Sequence, residues 1–213
     1  MKSFASEEIT LRPDNLNVIH WWIDASDRTH MDCKGHTGAV MTLGGGKGAV
    51  ISYSAKQKLN TKSSTESELV GTDQILSRVI WGLHFVEAQG YSIDHNIVYQ
   101  DNQATMCLEM NGALSSGKRT KHIHARYFFI TDRIGAGDVE VEYCPTEEMW
   151  AEVLNKPKQG KPFRLDRSHL MNVPVDYDDE AERLKTHPEL LPKDEPESAT
   201  VVQPPPQTDY TRR

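Results

Sequence analysis

Cysteine is scarce. The 213 residues hold three, Cys33, Cys107 and Cys144, an odd number, far apart and without a C-x-x-C pair. That excludes a disulfide framework and a four-cysteine zinc site, and it suits a reducing compartment. Long apolar runs are missing as well. No stretch approaches the eighteen residues of a membrane-spanning helix, and the opening MKSFASEEIT lacks the apolar region of a secretory signal. Positive charge is in deficit, with 24 Lys and Arg against 31 Asp and Glu, a net charge of −7. A chain of pI near 5.7 does not grip nucleic acid by bulk charge, so any such contact needs a local basic groove. The hydrophobic share of 37% is low, which means a modest core or a segment without one.

The shortfall is concentrated at one end. Residues 163–213 hold seven of the eleven prolines and carry 7 basic against 11 acidic side chains. A stretch such as Asp176–Glu182, DYDDEAE, cannot bury enough apolar surface to offset its ordering entropy. The expected organisation is an N-terminal extension over 1–14, one domain over 15–162, and an acidic, proline-rich, largely disordered tail over 163–213. A short helix around Phe163–Met171 can still dock on the domain.

Within 15–162 the periodicities alternate. The run Val18–Ile23 is β-branched and aromatic and reads as a strand ending at Asp24. Gly38–Leu43 and Ala49–Ser54 read as two more strands, joined as a hairpin through the glycine-rich stretch 44–48. Ser63-Ser64-Thr65 opens a long helix that Gly90 stops near Gln89, with Leu69, Leu76, Val79, Ile80, Leu83 and Val86 as one buried stripe. Ile97–Tyr99 is a fourth strand leading to Asp101, Asn102–Asn111 and Ile123–Ile134 are helices, and Val139–Tyr143 is a fifth strand. Thr146 then caps a last short helix through about Leu154. Strands and helices mixed in this order indicate an α/β layered domain with a mixed sheet. No internal repeat is visible.

Asp24 and Asp101 each close an apolar strand, where a lone carboxylate would be partly desolvated. Asp is also a common turn residue, so neither is informative alone. The long helix is a sharper test. Ser63-x-x-Glu66 and Thr65-x-x-Glu68 both fit a capping box. At about 100° per residue, however, Glu68 falls roughly 40° from the centre of the apolar sector and Glu66 about 120° away. Glu68 is expected to face the sheet and Glu66 water. A carboxylate on the buried side of a helix, across from strand-end aspartates, is best accounted for by bound metal.

The motifs WWIDAS, KQKLNTKSSTESEL, VYQDNQA, GKRTKHI and VEYCPTEE together resemble the ribonuclease H domain of copia-type retrotransposon polyproteins, in the right order from about Asn15 to Gly160. The resemblance implies a ribonuclease-H-like α/β fold, a five-stranded mixed sheet flanked by helices. It implies an endonuclease that cuts the RNA strand of an RNA–DNA hybrid with two magnesium ions, for which manganese can substitute, leaving 5′-phosphate and 3′-hydroxyl ends. Asp24, Glu68 and Asp101 match the family's first three carboxylates. Glu152, in Trp150-Ala151-Glu152-Val153-Leu154-Asn155-Lys156-Pro157, stands where the family has an aspartate, and the extra methylene displaces its carboxylate. Lys158 likewise replaces an apolar residue. Implied nucleic-acid contacts are Ser26 and Asn102 beside the acids, Lys56, Lys58 and Lys62 before the long helix, and Lys118, Arg119 and Lys121 in GKRTKHI. The implied partners are the hybrid and a reverse transcriptase in the same polyprotein, with no membrane and no small-molecule cofactor, in an intracellular setting: cytoplasm, virus-like particle or nucleus.

Two readings of different class stand side by side. One is a metal-dependent ribonuclease H, the end piece of a retroelement polyprotein. The other is an impaired domain that binds nucleic acid or a reverse transcriptase without cutting, which the Glu at 152 favours. An integrase-type transferase would place its glutamate last among the acids, whereas here one comes second. The Gly44–Gly48 stretch lacks the spacing of a phosphate-binding loop. His122 and His124, two apart in an expected helix, point to different faces and make a poor zinc site. Cys107 and Cys144 are expected as small core residues.

Overall fold

Residues with two apolar faces to bury belong at the centre of a sheet, and Val18–Ile23 is such a run. In the computed structural model, which describes residues 8–46, 48–112 and 128–174, it forms β1 (Val18–Ser26) at the middle of five strands. The other strands are β2 (His36–Leu43), β3 (Ile51–Lys56), β4 (His95–Gln100) and β5 (Glu140–Tyr143), in the order β3-β2-β1-β4-β5. β1 pairs antiparallel with β2 and parallel with β4, β2 pairs antiparallel with β3, and β4 parallel with β5. This is the five-stranded mixed sheet of the ribonuclease-H-like fold. The described residues belong to one compact unit, Met1–Val175.

One face of the sheet carries α1 (Ser64–Ala88), α2 (Gln103–Asn111) and α3 (Phe129–Ala136). Its core joins Ile19, Trp21 and Ile23 of β1 to Ile75, Leu76, Val79 and Val86 of α1, with Val98 and Ile130 beside them. The opposite face buries Trp22, Val40, Cys144, Met149 and Ala151. Trp21 and Trp22 thus serve the two faces separately, as strand alternation requires. The second face is covered by two 3-10 turns, Thr146–Glu148 and Trp150–Leu154, and by α4 (Gly160–Met171). The Trp150 ring stacks on Trp22 and on His169 of α4, with centroids 4.1 and 4.6 Å apart. The helix expected near 163–171 is therefore present and packed. Among the described residues no helix is long and apolar enough to cross a membrane.

Several boundaries differ from expectation for physical reasons. Asp24 does not end β1, which continues to Ser26 because β2 goes on pairing as far as Ser26↔His36. β3 starts at Ile51 and not Ala49, because the Ala49 amide donates to Leu170 O of α4 at 2.7 Å. The last helix is two 3-10 turns broken at buried Met149, and Thr146 makes no helix cap. Cys144 is buried as expected, but Cys107 lies on the exposed side of α2. Residues 123–127 of the expected helix over 123–134, with His122 and Lys47, lie outside the described residues.

Candidate metal centre

β1 and β4 run parallel and pair only from Val18↔His95 to Trp22↔Tyr99. Beyond that point β4 ends while β1 continues, so the β4 side of Asp24–Ser26 is left uncovered at the carboxyl end of the sheet. In open α/β sheets that is where ligands lodge. Asp24 projects here from β1 with 1% of its surface exposed. Asp101 follows directly on β4, half-buried, in the turn into α2. Gln100 holds that turn, its Oε1 accepting from the amides of Asp101 and Asn102 at 3.1 and 3.3 Å.

Glu68 arrives from α1. Ser63 caps that helix, its Oγ accepting from the Glu66 amide at 3.2 Å, while Glu66 Oε2 accepts from the Lys62 amide at 2.7 Å. Glu66 is thereby used at the helix entry, and Glu68, two residues on, is 5% exposed and turned to the sheet. Its Oε2 accepts from the Ala25 amide at 2.9 Å, a group that β4 no longer covers. Gly71, one turn later, lets the helix approach this closely: a Cβ there would lie 3.1 Å from that of Ala25. Gly38, paired with Asp24 across β1–β2, does the same on the other face, where a Cβ would come within 2.6 Å of Ala151 O.

The result is a group of three carboxylates, Asp24, Glu68 and Asp101, with one oxygen of each within 4.8 Å of the others. Crowding and burial raise their cost. Burial above all, then the charges of Asp24 and Asp101, push Glu68 well above the usual carboxylate range. Burial raises Asp101 too, against the hydroxyl of Thr146, which donates to Asp101 Oδ2 at 2.9 Å. Such a set of oxygen donors is consistent with binding a hard cation, and a bound cation would offset the burial and mutual repulsion that raise both groups.

Glu152 is not brought into this group. Its Oε1 meets Lys156 Nζ at 3.1 Å and its Oε2 meets Lys158 Nζ at 2.7 Å, and these two ammonium groups hold it below the usual range despite burial. Lys156 also reaches Asp24 Oδ2 at 3.1 Å, and Asn155 Nδ2 donates to the same oxygen at 3.0 Å. The sequence assigns Asn155 and Lys156 no role in the site, and Thr146 only a helix cap. The i,i+4 spacing of Glu152 and Lys156 is the signal that marks the pair.

The expected nucleic-acid contacts are spread out. Ser26 is buried, its hydroxyl 3.0 Å from that of Thr29. Asn102 caps α2 by accepting from Ala104 and Thr105 amides. Lys56 pairs with Asp32 at 2.7 Å, and Lys58 and Lys62 are exposed. Lys118, Arg119 and Lys121 lie outside the described residues.

No protein-family model matches the chain. Over 133 residues it is 31% identical to the retrovirus-related Pol polyprotein from transposon TNT 1-94 of Nicotiana tabacum, covering 62% of this chain and 10% of that protein. Over 162 residues it is 28% identical to the Pol polyprotein from transposon RE2 of Arabidopsis thaliana, covering 73% and 11%. The chain thus spans about a tenth of the length of these relatives. Among solved structures, RNase H1 from Halobacterium salinarum NRC-1 is 16% identical with a TM-score of 0.41, over 64% of this chain and 93% of that one. LC11-RNase H1 in complex with RNA/DNA hybrid is also 16% identical, with a TM-score of 0.44, over 64% and 92%. With its ordered motifs and its 3-2-1-4-5 sheet, the chain is a distant homologue of the copia-type retrotransposon Pol polyproteins.

Proposed function

We propose that this domain is a metal-dependent endonuclease that hydrolyses the RNA strand of an RNA–DNA hybrid. The observation that carries the reading is the convergence of Asp24, Glu68 and Asp101 within 4.8 Å at the end of two parallel strands. Asp24, buried at the centre, would hold the metal together with Glu68 and Asp101, while Glu152 stays engaged by Lys156 and Lys158. Bound divalent ions would supply an activated water and neutralise charge on the departing 3′ oxygen. The chain's own residues hold the geometry. The Ala25 amide fixes Glu68, Thr146 fixes one oxygen of Asp101, and Asn155 fixes Asp24. Lys58 and Lys62, exposed ahead of α1, would meet phosphates, and preference for RNA would come from contacts to 2′-hydroxyls. In an intact polyprotein the adjoining partner is a reverse transcriptase.

One observation favours a second reading, in which the domain binds hybrid without cutting it. Glu152 is engaged by two lysines and stands apart from the other carboxylates. A single experiment separates the two. Cleavage of a labelled RNA strand in a hybrid is followed with magnesium or manganese, beside Asp24→Asn. Metal-dependent cutting that the substitution abolishes is expected. A folded protein that retains hybrid but cuts with neither metal refutes the nuclease and leaves the binding module.

A further inference from the structure

The acidic centre already contains a cation. Lys156 Nζ lies 3.1 Å from Asp24 Oδ2 and 3.1 Å from Glu152 Oε1. The backbone supports that placement, since the Lys156 amide donates to Glu152 O at 2.9 Å and the neighbouring Asn155 side chain holds the same Asp24 oxygen at 3.0 Å. Beyond Glu152 the charges go on alternating: Lys158 Nζ meets Glu152 Oε2 at 2.7 Å and Asp166 Oδ2 of α4 at 2.7 Å. A chain of opposite charges therefore runs from buried Asp24 to α4, and Lys156 is its one member touching both the carboxylate centre and Glu152.

We propose that Lys156 is a tethered competitor for divalent metal. Its ammonium occupies one cation position beside Asp24, and a metal ion entering there displaces it onto Glu152, which is already in contact. Glu152 is then the landing place of the lysine as well as a carboxylate of the region. Lys158 and Asp166 keep Glu152 oriented for that purpose. Lys156 is a positioning residue, one that sets how much free metal the site needs before it fills. This rests on the reading of Asp24, Glu68 and Asp101 as a metal centre.

The test is a manganese titration of the full chain by calorimetry, with thermal unfolding in the absence and presence of metal, for the wild type, Lys156→Met, Lys156→Arg and Asp24→Asn. Removing the competitor is expected to tighten manganese binding roughly tenfold, equivalent to about 1.4 kcal/mol. It is also expected to lower the metal-free unfolding temperature and enlarge the metal-induced rise. Lys156→Arg, which keeps the charge, should stay near the wild type. Should the Met variant fail to fold, Lys156→Gln carries the same expectation. Glu152→Gln distinguishes landing place from ligand. It should weaken binding several-fold in the wild type but not in the Lys156→Met background, because its effect passes through the lysine.

Affinity and metal-induced shift unchanged in Lys156→Met, with binding still dependent on Asp24, would overturn the competitor and leave the metal centre standing. A Glu152→Gln effect that persists without Lys156 would overturn the landing place. No manganese binding by wild type or Lys156→Met would overturn the metal centre and the competitor together.

Discussion

Glu109 is a fully buried acid beside the candidate centre, and replacing it with glutamine should change how stability depends on pH. It lies on the inner side of α2 with no exposed surface, and neither carboxylate oxygen has a hydrogen-bond partner among the described residues. Burial raises its pKa from 4.5 to about 7, while Thr72 and Gln100 beside it offset part of the rise. The folded protein therefore keeps a proton between pH 4.5 and about 7 that the unfolded chain has released. Folding is then strongest below the unfolded value and weakens as pH rises through the folded one. At about 1.36 kcal/mol per unit, the whole shift is worth about 3 kcal/mol, most of it lost between pH 5 and 8. Glu68 and Asp101, also raised, add a slope of the same sign in the metal-free protein. Glu109→Gln removes only its own share, keeping shape and volume. Urea unfolding in chelator at a series of pH values measures it. The stability of the variant relative to the wild type should rise by about 2 kcal/mol from pH 5 to 8. Parallel curves would refute the reasoning and show that the folded protein holds Glu109 ionised and satisfied.

Gly38→Ala places a Cβ 2.6 Å from Ala151 O, a backbone atom that cannot swing aside. It should cost about 1–3 kcal/mol in denaturant melts, and it should weaken manganese binding by pushing Asn155 and Lys156 away from Asp24. Thr146→Val removes the hydroxyl that donates to Asp101 Oδ2. Since that bond lowers the pKa of a group already raised by burial, Asp101 should move further up, visible as an upward displacement of its carboxyl titration by NMR.

How much of this was legible in the chain follows from what each residue depends on. The β-branched run at 18–23, the Ser63 cap with its apolar stripe and the strand leading to Asp101 have local causes, and they recur in the structure as β1, α1 and β4. The burial of Glu68 was also readable, because helical period alone decides which face a residue takes. Ending β1 at Asp24 failed because strand length is decided by the neighbour: β2 carries the pairing on to Ser26. The same holds for Ala49, taken by α4, and for Thr146, whose hydroxyl goes to Asp101 and not to a helix amide.

Local pattern along the chain is enough for the strands and long helices, their order, the two faces of the sheet and the acids Asp24, Glu68 and Asp101. It took packing to show that Glu152 is held by Lys156 and Lys158. Packing also decided that Lys156 reaches Asp24, 132 positions earlier in the chain. The physical reason is range. Periodicity and capping act over a few residues, whereas an ion pair forms wherever packing brings two charges within about 4 Å, and no local pattern encodes which of several nearby acids a flexible lysine will reach.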